Sequence, residues 1–386
     1  MATTGKFRLA LFEQAMETLY GNLSAVDDPD RWTPPPNSGG HRGRYLWTDA
    51  FGVINFLTLH QELSGTATGK QDTRYLMLAR RLVDTVHDVL GRTRDGRALL
   101  PGATDENPLG GGLRIGKIDE SGPDGDGQYH HYLTIWMFAL NRLSLATGEP
   151  TYNRQAVALA KAIHPRFFVN RQSTRPQMVW KMAMDLSTAL VPSEGNLDPI
   201  DGYVVFRLLQ ALALENNDGK VLDEEIGDYK RVMERKGEHS VSSDPLDLGM
   251  TLWTTHWFAE REDWATRLAG KCIERICTLL GFLFSYSPRD ELFEIDHHLE
   301  RSIRYRLAFR EFGTCLGIRC YSAPESAATK RKERPIDLTS YAEAIIASWE
   351  PYMKLSMSKA SDFTSIADDL RPINRVMYAT ALVPGG

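Results

Sequence analysis

Two segments of the chain open in the same way. Asp198-Pro199-Ile200-Asp201-Gly202 and Asp244-Pro245-Leu246-Asp247-Leu248-Gly249 share an Asp-Pro-apolar-Asp pattern, 46 residues apart. The pattern reads as a helix start. The first Asp accepts hydrogen bonds from exposed backbone N–H groups, and Pro in the first helical position has no N–H to leave unpaired. The second Asp sits in the first turn, where the helix dipole favours negative charge. Each start runs into a helix too apolar for an outer surface, Tyr203-Val204-Val205-Phe206 and Met250-Thr251-Leu252-Trp253. A capped start leading repeatedly into a buried helix restricts the chain to folds in which helices bury one another.

Helical periodicity extends through the rest of the chain. Tyr129, Leu133, Trp136, Met137, Leu140 and Leu143 form one stripe at 3- and 4-residue spacing. Similar stripes run from Phe7 to Leu23, Tyr45 to Leu63, Tyr75 to Leu90, Tyr152 to Ile163 and Tyr203 to Leu214. Others cover Leu246 to Phe258, Trp264 to Phe284, Ile303 to Ile318, Leu338 to Ile346 and Phe363 to Leu382. Short helices are expected near Trp180 to Leu190 and Val221 to Arg235, and the stretch from Leu99 to Ile118 leaves room for a short β-hairpin. No set of alternating strands suggests a central sheet. Apolar helices start near Tyr45, Gln128, Asp198, Asp244, Ile303 and Leu338, and a more polar helix follows most of them. Six such pairs in 386 residues give about 64 residues per pair, room for two helices of mean length and their loops. Alternating buried and half-exposed helices is the pattern of hairpins closed into a ring, each burying its apolar face on its neighbours. The expectation is an all-α (α/α)6 toroid of six helical hairpins, one domain over residues 1–386.

Charge and composition exclude several classes. The net charge is −5 with acids and bases interspersed, whereas nucleic-acid binding needs clustered Lys and Arg. The run Lys330-Arg331-Lys332 with Arg334 reads as a solvated loop. Residues 1–26 carry Lys6, Arg8, Glu13 and Glu17 and lack the apolar core of a signal peptide, and no window has the ~18 apolar residues of a membrane span. Cys272/Cys277 and Cys315/Cys320 are each five residues apart, about 140° around a helix, which suits separate core positions rather than a shared metal. Reduced thiols and no export signal point to the cytoplasm, where Asn22-Leu23-Ser24 is no glycosylation site. Three tempting motifs fail. Gly111 to Lys117 resembles a phosphate loop, but Ile118 stands where Ser or Thr is required. Asp119 to Gly127 puts Pro123 at a calcium-ligand position, and His297-His298 with Glu300 lacks zinc spacing. No metal or cofactor is expected, and the partner is a small-molecule substrate, with neither nucleic acid nor membrane.

Gly43-Arg44-Tyr45-Leu46-Trp47-Thr48-Asp49-Ala50-Phe51-Gly52 and Asp126-Gly127-Gln128-Tyr129-His130-His131-Tyr132-Leu133-Thr134-Ile135-Trp136 resemble members of the six-hairpin glycosidase-like superfamily. So do Ala146-Thr147-Gly148-Glu149-Pro150-Thr151-Tyr152 and Trp180-Lys181-Met182-Ala183-Met184-Asp185-Leu186-Ser187, and the likeness runs from about Arg44 to Cys320. It implies an (α/α)6 barrel whose helix ends line a funnel. Glycoside hydrolases, polysaccharide lyases, sugar epimerases and a terpenoid isomerase/dehydratase group share that fold, so the fold alone fixes no reaction.

Candidate chemistry sits at the starts of the apolar helices. Trp47 and Asp49 pair an aromatic platform with a carboxylate, as a sugar ring and its glycosidic oxygen require, against the alternative that Asp49 only supports its helical turn. His130 and His131 follow Tyr129 and point about 100° apart on a helix, so one of them can face the funnel as a general base. Trp180, Lys181 and Asp185 form a third cluster in apolar surroundings, with an ordinary i,i+4 ion pair as the alternative. Asp201 and Asp247 suit a funnel-facing carboxylate as well as a capping role, as for Asp198 and Asp244. Trp253 with His256 and Trp257 is a further aromatic–histidine group, and Arg304, Arg306, Arg310 and Glu311 suggest a buried salt-bridge network. The leading expectation is an enzyme using carboxylate/histidine acid–base chemistry on a carbohydrate or similar polyhydroxylated molecule. Asp49 and Asp185 are its acid/base pair, His130 or His131 assists, and Trp47, Tyr129 and Trp180 are its platforms. An isomerase, dehydratase or cyclase of a terpenoid-like metabolite is the alternative, and a non-catalytic scaffold a third.

Overall fold

The structure, a computed structural model, describes residues 2–36, 43–64, 73–122, 124–236, 241–279, 299–322, 338–357 and 371–385. Lys330 to Arg334 and His297-His298 lie outside them, as do parts of the stripes at Trp264 to Phe284 and Phe363 to Leu382. The described residues are mostly helical. Twelve helices run in order: α1 (Ala2–Tyr20), α2 (Leu46–Ser64), α3 (Arg74–Leu90), α4 (His130–Thr147), α5 (Pro150–Phe167), α6 (Asp198–Glu215), α7 (Asp223–Lys236), α8 (Pro245–Thr255), α9 (Asp263–Leu279), α10 (Ala308–Ser322), α11 (Thr339–Met357) and α12 (Arg371–Leu382). No helix among the described residues is long and apolar enough to cross a membrane.

The chain divides into two compact units, Met1–Arg235 with Ala367–Gly386, and Lys236–Ile366. In the first, α2 packs on α3, α4 and α12, α4 packs on α5 and α6, and α1 packs on α12. The difference in character between α2 and α3 follows from this. From Leu46 to His60 every residue of α2 is buried, whereas α3 buries Tyr75, Leu76, Leu78, Ala79, Leu82, Val83, Val86 and Leu90 and leaves the rest half-covered or exposed. The tight α4–α5 connection uses Gly148 at φ 70° after α4 and Pro150 in the first turn of α5, a left-handed stop followed by a preformed start.

In the second unit α8 packs on α9 and α10, and α10 packs on α11. Glycines let α8 and α10 touch. A Cβ placed at Gly249 would meet the Gly313 carbonyl oxygen at 2.2 Å. Of the expected ion network, Arg306 and Glu311 form the buried part, while Arg304 is exposed and Arg310 pairs instead with the partly exposed Asp244. Buried Arg306 and Glu311 pair through the guanidinium Nη2 and a carboxylate oxygen at 2.6 Å, and Trp349 Nε1 of α11 donates to the same carboxylate at 2.8 Å. Ile303 does not begin α10, however. Residues Ile303–Tyr305 form a single 3-10 turn before it. All four cysteines are free thiols, and Cys272, Cys277 and Cys315 are buried.

Two small antiparallel sheets complete the picture. β1 (Gln128–Tyr129) pairs with β4 (Lys181–Met182), and β2 (Phe168–Val169) pairs with β3 (Gln177–Met178). They correct two expectations. Trp180 to Leu190 is not a helix but strand β4 followed by a tight turn, closed by a Met182–Ala189 bridge. The cause is local turn chemistry: Asp185 Oδ1 accepts from the Ser187 N–H and hydroxyl, and Leu186 takes φ 58°, a conformation incompatible with helix continuation. From Leu99 to Ile118 there is only a Gly-rich loop, whose one strand-like contact is an isolated Arg92–Leu99 bridge.

Candidate active site

The first unit gathers the starts of α2, α4 and α6. The loop before α4 does the joining. The Leu46 N–H donates to the Ile115 carbonyl at 3.0 Å, and the Ile115 N–H donates to the Gly127 carbonyl at 2.7 Å. Buried Asp126 holds this loop: it accepts from the Gly116 N–H at 2.9 Å and pairs with Arg94 and Arg114 at 2.9 and 3.1 Å. The buried Gln128 side chain adds bonds to the Gly111 and Met184 carbonyls at 2.8 and 2.7 Å. The β1–β4 pairing sets Tyr129 opposite Lys181, and the His130 N–H donates to the Trp180 carbonyl at 3.1 Å.

This scaffold brings a set of aromatic rings around His131. The Trp47 ring lies 4.7 Å from the His131 ring and 5.3 Å from that of Tyr132. Tyr45 stacks on Tyr132 at 5.8 Å, Tyr129 lies 5.0 Å from Tyr132, and Trp180 meets Tyr129 edge-on at 4.9 Å. Two ammonium groups face the same rings, Lys117 Nζ at 5.2 Å from the Tyr45 centre and Lys181 Nζ at 5.1 Å from that of Tyr129, in cation–π range. Lys181 also donates to the Gly125 carbonyl at 3.0 Å. Burial lowers the pKa of both lysines, with Asp124 pulling back in the opposite direction. Burial, with Asp124, raises the Tyr129 hydroxyl to about 12, so it stays protonated at neutral pH. Trp47 is 1% exposed, and its Nε1–H has no acceptor among the described residues.

The chemical centre of the cluster is a pair. His131 Nδ1 hydrogen-bonds Oδ2 of Asp201. Asp201 is almost fully buried, and the His131 side chain keeps 15% exposure with its Nε2 turned into the buried interior. A buried carboxylate on Nδ1 fixes the ring and leaves Nε2 as the nitrogen for proton transfer. Asp201 stands here because it is in the first turn of α6, where the sequence pattern places a carboxylate.

His130 faces elsewhere. It is fully buried, with Nδ1 3.3 Å from Asp198 Oδ1 and Nε2 2.6 Å from the Tyr229 hydroxyl. The capping role expected of Asp198 is therefore corrected. Asp198 is itself the first residue of α6, and no side chain caps that helix. In the second unit the matching Asp244 does cap, accepting from the Leu246 and Asp247 N–H groups at 2.8 and 3.4 Å, and it also pairs with Arg310.

Asp49 and Asp185 occupy contrasting surroundings. Asp49 is fully buried, and its Oδ1 takes Arg44 Nε at 2.8 Å and the Tyr20 hydroxyl at 2.9 Å. Burial pushes its carboxyl up, against Arg44 and Tyr20. It stands between α1 and α2, in an ion pair that explains its presence without chemistry. Asp185 is exposed on the β4 turn, and its hydrogen bonds from Ser187 hold its carboxyl low. No contact joins these two acids, and Lys181 and Asp185 do not form the helical pair considered for them. Trp47, Tyr129, Trp180, Lys181, His131 and Asp201 come together as the cluster above. Asp247, Trp253 and His256 belong to the second unit, where Trp253 is buried and His256 Nδ1 bonds the Trp253 carbonyl within its own helix end.

Tyr45, Tyr132, Lys117 and Tyr229 were missed. Tyr129 and Tyr132 are three residues apart, a spacing that places both on one side of a helix start. Lys117 lay in the segment set aside as a failed phosphate loop, and nothing local marks Tyr229, whose partners are 99 residues away in sequence. No protein-family model matches the chain, and no curated protein does. The functional reading therefore rests on this geometry.

Proposed function

We propose that the protein is an enzyme acting by acid–base chemistry on a carbohydrate or similarly hydroxyl-rich small molecule, bound among the rings at the starts of α2, α4 and α6. His131 moves the proton, and Asp201 holds its ring and stabilises the imidazolium that forms. The observation that carries this reading is the His131–Asp201 pair, a 15% exposed imidazole held by an almost fully buried carboxylate, with Trp47 4.7 Å away.

The surroundings favour a polar substrate. The rings carry polar tips, three of them phenols, two ammonium groups face them, and the Trp47 N–H lacks an acceptor. A sugar supplies C–H faces to stack on the rings and oxygens for those donors. A terpenoid would leave the Trp47 N–H unpaired, at a cost of about 1–3 kcal/mol, so that reading ranks second. The proposal includes the architecture: one domain built as a six-hairpin ring, with the apolar helices that start near Tyr45, Gln128, Asp198, Asp244, Ile303 and Leu338 inside, and the cluster in its funnel. Supporting it, α2 packs on α3, α4 on α5, α8 on α9, α10 on α11 and α12 on α1.

A thermal-shift screen of neutral sugars, acidic sugars, polyols and terpenoid alcohols tests the reading. The expected result is a raised Tm with at least one hydroxyl-rich compound, lost in Trp47→Phe. Stabilisation by terpenoid alcohols alone would overturn the substrate class.

A further inference from the structure

Behind the His131–Asp201 pair lies a second histidine–carboxylate contact on the same two helix starts. His130 precedes His131 on α4, and Asp198 is three residues before Asp201 on α6. His130 Nδ1 stands 3.3 Å from Asp198 Oδ1, and its Nε2 2.6 Å from the Tyr229 hydroxyl of α7. All three residues are at most 2% exposed, and the packing makes deliberate room for them. A Cβ at Gly202 would strike the Tyr229 ring at 2.2 Å, and one at Gly195 would strike Asp198 Oδ2 at 1.9 Å.

The protons of this group can be placed. Tyr229 is fully buried with Asp198, Asp228, Glu225 and Asp201 nearby, and burial first, then these acids, raise its hydroxyl well above the usual value. It therefore keeps its proton, and among the described residues its only acceptor is His130 Nε2. A ring that accepts at Nε2 carries its own hydrogen at Nδ1, the nitrogen facing Asp198. The remaining neighbours on α5 do not compete: Phe167 packs against His130 at 5.2 Å, and burial takes His164 down to about 3.

We propose that Tyr229, His130 and Asp198 form a positioning relay for the His131–Asp201 pair. Tyr229 fixes the His130 ring in the Nδ1–H form, which turns that nitrogen toward Asp198 Oδ1, 3.3 Å away and like it without another hydrogen-bond partner among the described residues, and His131, the next residue, is thereby held on Asp201. The bond from the His130 N–H to the Trp180 carbonyl, 3.1 Å, pins the same turn from the other side. This relay rests on reading His131–Asp201 as the working pair, but its own signature needs no substrate.

The test is two-bond 1H–15N correlation NMR of the full chain labelled with 15N-histidine, from pH 6 to 9, with His130 assigned by its loss in His130→Gln. The expected wild-type result is a neutral His130 in the Nδ1–H form, the minority form of free histidine. In Tyr229→Phe and in Asp198→Asn that form is lost, and the His131 titration midpoint moves by about half a pH unit or more. Wild-type His130 as the Nε2–H form or as imidazolium overturns the relay, whether or not either variant folds. So does an unchanged His131 in a folded Tyr229→Phe. An Asp201→Asn variant whose His131 titrates like wild type overturns the working pair instead and leaves the His130 assignment standing.

Discussion

Arg44 reaches Asp49 through its Nε at 2.8 Å, and both side chains are at most 4% exposed. Removing one member of such a pair leaves a buried charge without its counter-charge, a loss of about 3–5 kcal/mol. Asp49→Ala is therefore expected to lower the urea midpoint sharply, and Asp49→Asn, which keeps the shape and can still accept from Tyr20, by less. Ligand binding by the folded fraction should be unchanged. An Asp49→Asn protein of wild-type stability that had lost ligand binding would reverse this assignment and return Asp49 to the site.

The α8–α10 contact gives a second expectation. A Cβ at Gly317 would come within 2.0 Å of the Gly249 carbonyl oxygen, and one at Gly249 within 2.2 Å of that of Gly313. Backbone cannot yield as a side-chain tip does, so Gly249→Ala and Gly317→Ala should each cost at least about 1–3 kcal/mol, the range for overpacking. Gly270, with nothing within 4 Å of its Cβ position, is the control. In thermal melts Gly270→Ala should match or exceed wild type.

Capping separates the two repeated starts. Asp244→Ala removes two hydrogen bonds to the first turn of α8 and should destabilise by about 0.5–2 kcal/mol. Asp244→Asn or Asp244→Ser should recover most of that. At Asp198 the capping substitutes should behave differently: Asp198→Ser cannot reach His130 and gains no cap, so it should be no better than Asp198→Ala in denaturant unfolding.

That contrast shows what could be read from the sequence and what could not. The helical class and the positions of most helices follow from spacing alone, because a 3.6-residue period records which face is buried. The Asp201 carboxylate was placed correctly in a first turn, since helix-start chemistry is local. Whether Asp198 caps or faces a histidine depends on α4 and α7, which sequence spacing does not report. The same holds for Asp49, whose surroundings are set by Tyr20 and Arg44. At Trp180 to Leu190 a helix-like apolar pattern lost to a local turn, because Asp185 and Ser187 supply their own hydrogen bonds. Tyr229 carries no signal at all in its own segment, yet it completes the histidine relay.

Stability should also respond to acid through His164. Buried at 1% exposure beside Asp228, whose carboxylate is already paired with Arg171 and Arg231, its ring is lowered by burial from 6.5 to about 3. A histidine neutral in the folded state and protonated in the unfolded chain favours unfolding once pH falls below the unfolded value. Its contribution is thus complete above pH 6.5 and declines as pH falls from there toward 3. Unfolding free energies measured across this window should fall less steeply in His164→Phe than in the wild type.

The most direct test of the account is turnover by His131 and Asp201 variants. With the hydroxyl-rich compound that stabilises the wild type as substrate, kcat/KM is measured for His131→Ala and Asp201→Asn, with Asp185→Asn as the control. Loss of a general acid–base is expected to cost about 10²–10⁴-fold in both His131→Ala and Asp201→Asn, with Asp185→Asn within about twofold of wild type, as its exposed position implies. Folded His131→Ala and Asp201→Asn proteins that retained wild-type turnover would contradict the assignment of this pair as the catalytic centre.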